Sequence, residues 1–278
     1  MAAPKLPPEL ERYIFENAAF TNRSSIPSLL RVAHRVHVWI EPLLYDVLTL
    51  NYGKRSPSAS TPADSRDAAF LASHVHHLNL SGPIPSAQLH AILSACTGTT
   101  SLALFLPLPL TNPDLLPVLQ ALPLRLLTAD ITHLFGGPLR VQLAHPALCS
   151  LTHLDILAAP FDDWRLYAAA GLPSMRALTH LAFRERFYPR VLRGALAHCP
   201  ALQALGVVWG GGAGRRRLRA VDVREGEVVD ARLFVLAICE DWGEDWARDA
   251  GRGIWVRGEA FVAKKKAGEI PVSRLWAR

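Results

Sequence analysis

Leu151-Thr152-His153-Leu154-Asp155-Ile156 and Leu178-Thr179-His180-Leu181-Ala182-Phe183 carry the same Leu-Thr-His-Leu opening, 27 residues apart. Apolar side chains at every second position suit a strand, whose successive side chains point to opposite faces. Moving outward, the pattern L-x-x-L-x-L or its L-x-L half returns at Val75–Leu80, Ser101–Leu104 and Leu202–Val207, with a degenerate copy in Leu124–Leu127. From Leu78 the steps to Leu102, Leu127, Leu154, Leu181 and Leu205 are 24, 25, 27, 27 and 24 residues.

Helix-like segments fill the intervals: Ser86–Ala95, Pro113–Leu122, Asp163–Ala170 and Pro189–Cys199. A strand plus a helix at this period predicts an irregular leucine-rich-repeat solenoid. Its cysteines then read as small buried groups at helix ends. The alternative is a leucine-rich α/β domain of another topology. Leu233–Ile238 reads as a further buried strand. Trp242, Trp246, Trp255 and a helix over Glu259–Ala267 are expected to cap the open end. Gly210–Gly214, followed by Arg215–Arg217, is expected to form a loop.

If the alternate leucines point inward, then His153, Asp155, His180 and Arg184 line the opposite face, extended by Asn79 and Phe105. That face reads either as a concave target-binding surface or as an ordinary solvated sheet.

Composition narrows the classes. Half of the 278 residues are apolar and 19% are charged, so the chain can bury a sizeable core. About one residue in six is leucine. Cys96, Cys149, Cys199 and Cys239 form no CxxC pair, which argues against a disulfide scaffold or a zinc knuckle. Prolines and charges interrupt the first 17 residues, so no signal peptide is expected. Prolines also cut the apolar region Leu102–Leu127, and no membrane span is expected. The expected compartment is cytoplasm or nucleus.

Residues 1–50 read as a helical module. Leu6-Pro7-Pro8-Glu9-Leu10 can open a helix, with prolines in its first turn, and Leu10, Ile14 and Ala18 form an apolar stripe. Ser25 and Pro27 can begin a second helix with an apolar face of Leu29, Ala33, Val36 and Ile40. Pro42 is expected to break it and start a third over Leu43–Leu48. The stretch NYGKRSPSASTPADSRD, within 51–69, has almost nothing to bury and reads as a linker. Residues 70–278 would form the repeat domain and its cap. The fold class expected is α+β.

Catalytic signatures are missing: there is no G-x-S-x-G, H-E-x-x-H or phosphate-binding G-x-x-x-x-G-K-[ST]. No enzyme activity, cofactor or metal is expected. His74, His76 and His77 lack further ligands at matching spacing. The charge of +6 and the runs Arg215–Arg217 and Lys264–Lys266 fit weak phosphate attraction. The runs are short, lie near acidic residues, and have no stacking aromatic array, which argues against specific nucleic-acid binding.

Leu6-Pro7-x-Glu9-Leu10-x-x-x-Ile14-Phe15, Leu29-Leu30-x-Val32-Ala33 and Pro42-Leu43-Leu44-Tyr45-x-x-Leu48 together resemble an F-box. The match covers about 45 residues. Val36 stands where an F-box usually has tryptophan, and Trp39 follows three residues later. With its leucine repeats and its tryptophan-bearing tail, the whole chain resembles the expanded F-box and leucine-rich-repeat-like proteins of basidiomycete, mushroom-forming fungi. The resemblance implies a non-catalytic substrate-recognition subunit of an SCF-type, cullin–RING ubiquitin ligase. Leu6, Pro7, Leu10, Ile14, Phe15, Leu29, Val32 and Val36 would dock a Skp-type adaptor, and the concave face would hold an unknown target protein. The alternative is an interaction scaffold with a degenerate F-box and no ligase coupling.

Overall fold

The computed structural model describes residues 6–52, 67–107, 115–184, 188–210, 227–238, 246 and 249–277. Eight strands form one sheet: β1 Val47–Asn51, β2 His77–Ser81, β3 Ser101–Phe105, β4 Leu126–Ala129, β5 His153–Ile156, β6 His180–Arg184, β7 Ala204–Trp209 and β8 Leu233–Ala237. They lie side by side in chain order, and every neighbouring pair is parallel. Parallel neighbours require the chain to return after each strand, and helices usually make the return. Before the sheet come α1 Pro8–Thr21, α2 Ile26–Leu29 and α3 His34–Tyr45. Between strands come α4 Ala68–His74, α5 Ser86–Ala95, α6 Leu115–Ala121, α7 Ile131–Leu134, α8 Trp164–Ala169 and α9 Pro189–His198. After β8 comes α10, Gly253–Lys266.

The leucine pattern fixes the register. Leu48, Leu78, Leu102, Leu127, Leu154, Leu181, Leu205 and Leu233 are successive partners across the sheet. Two residues on, Leu50, Leu80, Leu104, Ala129, Ile156, Phe183, Val207 and Val235 form a second row on the same face. Both rows are buried in one core with α4, α5, α6 and α9. A one-residue slip of any strand would turn its pair of apolar residues away from that core.

The expected α+β arrangement, a separate helical module followed by a leucine-rich-repeat solenoid with an end cap, is overturned. A single all-parallel sheet alternating with helices is α/β, the alternative the sequence had left open. Two observations carry the correction. First, Val47–Asn51 is no part of a third helix: Leu48-Thr49-Leu50 is another L-x-L unit and pairs with β2. The helix expected to stop at Pro42 runs through it to Tyr45, and the long second helix is instead split into α2 and α3. Second, the sheet's other face is covered. Phe234, Ala182, Ala204 and Val208 on that face bury against Ile254, Trp255, Phe261 and Val262 of α10.

Phe234 shows how closely α10 lies. A Cβ at Gly206 of β7 would come 2.7 Å from the Phe234 ring, and one at Gly258 of α10 would fall on the same ring. The ring fits only because both neighbours are glycines. At the sheet's far edge the Val235 N–H donates to the Leu275 carbonyl at 2.7 Å, and the Ala277 N–H donates to the Val235 carbonyl at 2.9 Å. These bonds occupy groups that an edge strand otherwise leaves open to other chains.

Cys96 and Cys199 are buried just after α5 and α9, and burial pushes both thiols up to about 11. Cys149 differs from expectation in being exposed, and Cys239 lies outside the described residues. The loop expected over 210–214 and the Arg215–Arg217 run lie outside them too, apart from Gly210. Among the described residues no helix is long and apolar enough to cross a membrane.

Candidate functional site

The first three helices have a small core of their own, Ala19, Ile26, Val36 and Ile40, with Phe15, Leu29, Leu30, Ala33, Trp39 and Leu43 packed against it. On α1 the inward side is therefore Phe15 and Ala19. The stripe expected to be buried faces water: Leu10 and Ile14 are each 53% exposed, and Ala18 is exposed as well. Tyr13 and Phe20 are also exposed, and with Leu10 and Ile14 they span about 120° of the helix surface at 3.6 residues per turn. Leu6 and Pro7 are exposed just before the helix, and Val32 is exposed between α2 and α3.

An open hollow of about 620 Å³ lies beside this stripe, lined by Leu6, Pro8, Glu11, Ile14, Phe15 and Arg35. Arg35 donates to Glu11 through Nη2 at 2.7 Å and Nε at 3.0 Å, tying α3 to α1 across the hollow. That hydrogen bond and charge raise the Arg35 pKa further. Of the eight expected adaptor contacts, Leu6, Pro7, Leu10, Ile14 and Val32 share an exposed surface. Phe15 and Leu29 are half-buried. Val36 is fully buried and serves the helices' own packing, which corrects its assignment as a contact.

The expected target-binding face is a different matter. Asn79 and Asp155 have no exposed surface, and Arg184 and His180 are buried. Phe105 and His153 are half-buried. Neither an open concave surface nor a solvated sheet face is present at these positions. Arg184 grips Asp155 with Nη2 at 2.5 Å and Nε at 2.9 and 3.0 Å, and Thr128 Oγ1 donates to the same carboxylate at 3.4 Å. The Arg184 guanidinium also lies 5.8 Å from the centre of the Phe105 ring. Beyond it, Trp246, Gly251, Gly253 and Ile254 close the space, and Ser101 Oγ donates to the Ala250 carbonyl at 3.1 Å. The segment leading into α10 thus covers the face from β3 onward.

Next to the ion pair, register brings the two Leu-Thr-His-Leu histidines together. His153 and His180 are partners on β5 and β6, their rings stacked 4.1 Å apart and 6° from parallel. Trp255 of α10 packs edge-on against both, at 5.3 and 5.6 Å. Glu259, one turn further along α10, reaches His180 Nε2 with Oε1 at 2.8 Å. Burial, with the neighbouring His180 and Arg252 adding to it, pushes His153 down to about 4. Burial also lowers His180, against the opposing pull of Glu259. A ring nitrogen of each histidine and a Glu259 oxygen lie within 4.8 Å of one another, the only such group of metal-binding side chains among the described residues.

The sequence-prominent His74, His76 and His77 do not converge. His74 Nδ1 bonds to the Phe70 carbonyl at 2.8 Å and His76 Nδ1 to Asp46 at 3.0 Å. Lys264–Lys266 is no solvated loop. It forms the last turn of α10, where positive charge suits the helix dipole. Lys265 is buried there, donating to the Leu233 carbonyl at 2.7 Å, and burial pulls its pKa down to about 8.

No protein-family model matches the chain, and no curated protein matches it either.

Proposed function

We propose that the protein is a non-catalytic interaction subunit whose N-terminal helices dock a Skp-type adaptor of a cullin–RING ubiquitin ligase. The observation that supports this is the outward-facing stripe of Leu6, Leu10, Tyr13, Ile14 and Phe20, beside a core that Phe15 and Ala19 already complete. Large apolar side chains grouped on one exposed face mark partner surfaces, and burying them on docking supplies the driving force. The F-box resemblance of Leu6–Leu48 names the partner class. The subunit would present a target protein to the ligase, and the transfer chemistry would belong to other subunits. The covered sheet face supplies no target contact in this reading.

The second reading, a scaffold without ligase coupling, draws on Val36, which stands at the usual tryptophan position and is spent on internal packing. Co-purification separates the two. The full chain expressed with a fungal Skp-type adaptor and a cullin is expected to retain both. Leu6→Asp with Ile14→Asp, at exposed positions where folding is spared, is expected to release them. Retention of neither by the unaltered protein, or of both by the folded double variant, overturns the ligase reading.

A further inference from the structure

We propose that His153, His180 and Glu259 form a binding site for a divalent transition-metal ion of borderline softness, such as Zn²⁺, that pins α10 to the sheet. The donor set is two imidazole nitrogens and one carboxylate oxygen, which suits such an ion. Donors about 2.0–2.2 Å from a shared tetrahedral ion lie about 3.4 Å apart. The three donor atoms, all within 4.8 Å of one another, need only small side-chain adjustments to reach that spacing.

The surroundings are built as metal sites usually are, with a second layer orienting the ligands. His153 Nδ1 lies 2.8 Å from Thr152 Oγ1, and His180 Nδ1 lies 2.8 Å from Thr179 Oγ1. Each threonine hydroxyl can instead donate to a carbonyl at 3.1 Å, that of Arg125 for Thr152 and that of Thr152 for Thr179. With the hydroxyl proton on the carbonyl, the hydroxyl oxygen accepts from Nδ1–H. That fixes the tautomer whose Nε2 carries a free lone pair. On His180 this lone pair then faces the Glu259 carboxylate at 2.8 Å, an arrangement that calls for a cation between them.

Three further features fit. Burial and the neighbouring cations hold both histidines towards the neutral form, so protons compete weakly for their lone pairs. The Glu259 side chain is 52% exposed, which leaves an approach for the ion and room for a water in a fourth position. The two rings need only lean together from their 6° stack to share one ion. Arg252 and Lys266 add positive charge nearby, so the Glu259 carboxylate is the indispensable ligand.

Calorimetric titration of the metal-stripped full chain with Zn²⁺ tests this. One equivalent is expected to bind, with affinity falling at least tenfold in Glu259→Gln and lost in His153→Asn with His180→Asn. His74→Ala with His76→Ala is expected to bind as the unaltered protein does. Absence of Zn²⁺ binding, or equal binding by folded Glu259→Gln, overturns the site. Should the double-histidine variant fail to fold, Glu259→Gln, at a half-exposed side chain, still carries the test. Its readout is independent of adaptor binding, so the two proposals stand or fall separately.

Discussion

Asp155 and Arg184, 29 residues apart in sequence, form a bidentate ion pair on adjacent strands with 0% and 3% of their side chains exposed. The pair sits on the face that α10 and its approach close off, so neither partner can turn to water if the other is removed. Losing one member of a buried pair costs about 3–5 kcal/mol, because a lone charge stays behind. Arg184→Met and Asp155→Leu are each expected to destabilise by about that amount in urea unfolding. The double substitution is expected to recover most of the loss, since apolar replacements of both partners are often close to neutral.

Gly258→Ala should loosen the lid. A Cβ there falls on the Phe234 ring, which Gly206 confines from the other side. Overpacking of this kind costs about 1–3 kcal/mol. The expected result is a lower melting temperature with faster amide exchange in 253–266.

His153 gives a pH dependence of known sign. Its pKa falls from 6.5 in the unfolded chain to about 4 in the folded one. Between those values the unfolded state binds the extra proton, so this group's contribution to stability is lost as pH falls from 6.5 towards 4. The slope from one such group is at most about 1.4 kcal/mol per pH unit, less where solvent screens it. Denaturation at a series of pH values is expected to show a shallower acid slope for His153→Gln.

Lys265 acts in the alkaline range. Its pKa drops from 10.5 to about 8 on folding, so the folded state gives up its proton first. Stability is therefore expected to rise from pH 8 to 10.5 and to lose that rise in Lys265→Met, measured by chemical unfolding.

The strand positions were legible because a period of two and a repeat of 24 to 27 residues are both written in leucine. β1 was missed because Leu48-Thr49-Leu50 directly follows a helical pattern, and helix and strand periodicity cannot be separated over three residues. The covering of the second face was illegible for a different reason. Asp155, His180 and Arg184 are polar, and polar side chains suggest solvent unless a buried partner is known. Their partners come from distant strands and from α10, and no spacing rule connects Glu259 to His180. The two Leu-Thr-His-Leu copies did carry half of the candidate metal site, including the threonines that orient the rings. In α1 the stripe at Leu10 and Ile14 was read correctly as apolar but placed inside. The sequence offers a second stripe at Phe15 and Ala19, and only packing decides between them.

Hydrogen exchange of the full chain with and without the purified Skp-type adaptor tests the central claim most directly, because it reports which surface is covered. The account predicts slowed exchange in peptides spanning 6–20 and 29–38, with no change in 253–266. An adaptor that leaves 6–20 unprotected, or that protects the sheet and α10 instead, would contradict it.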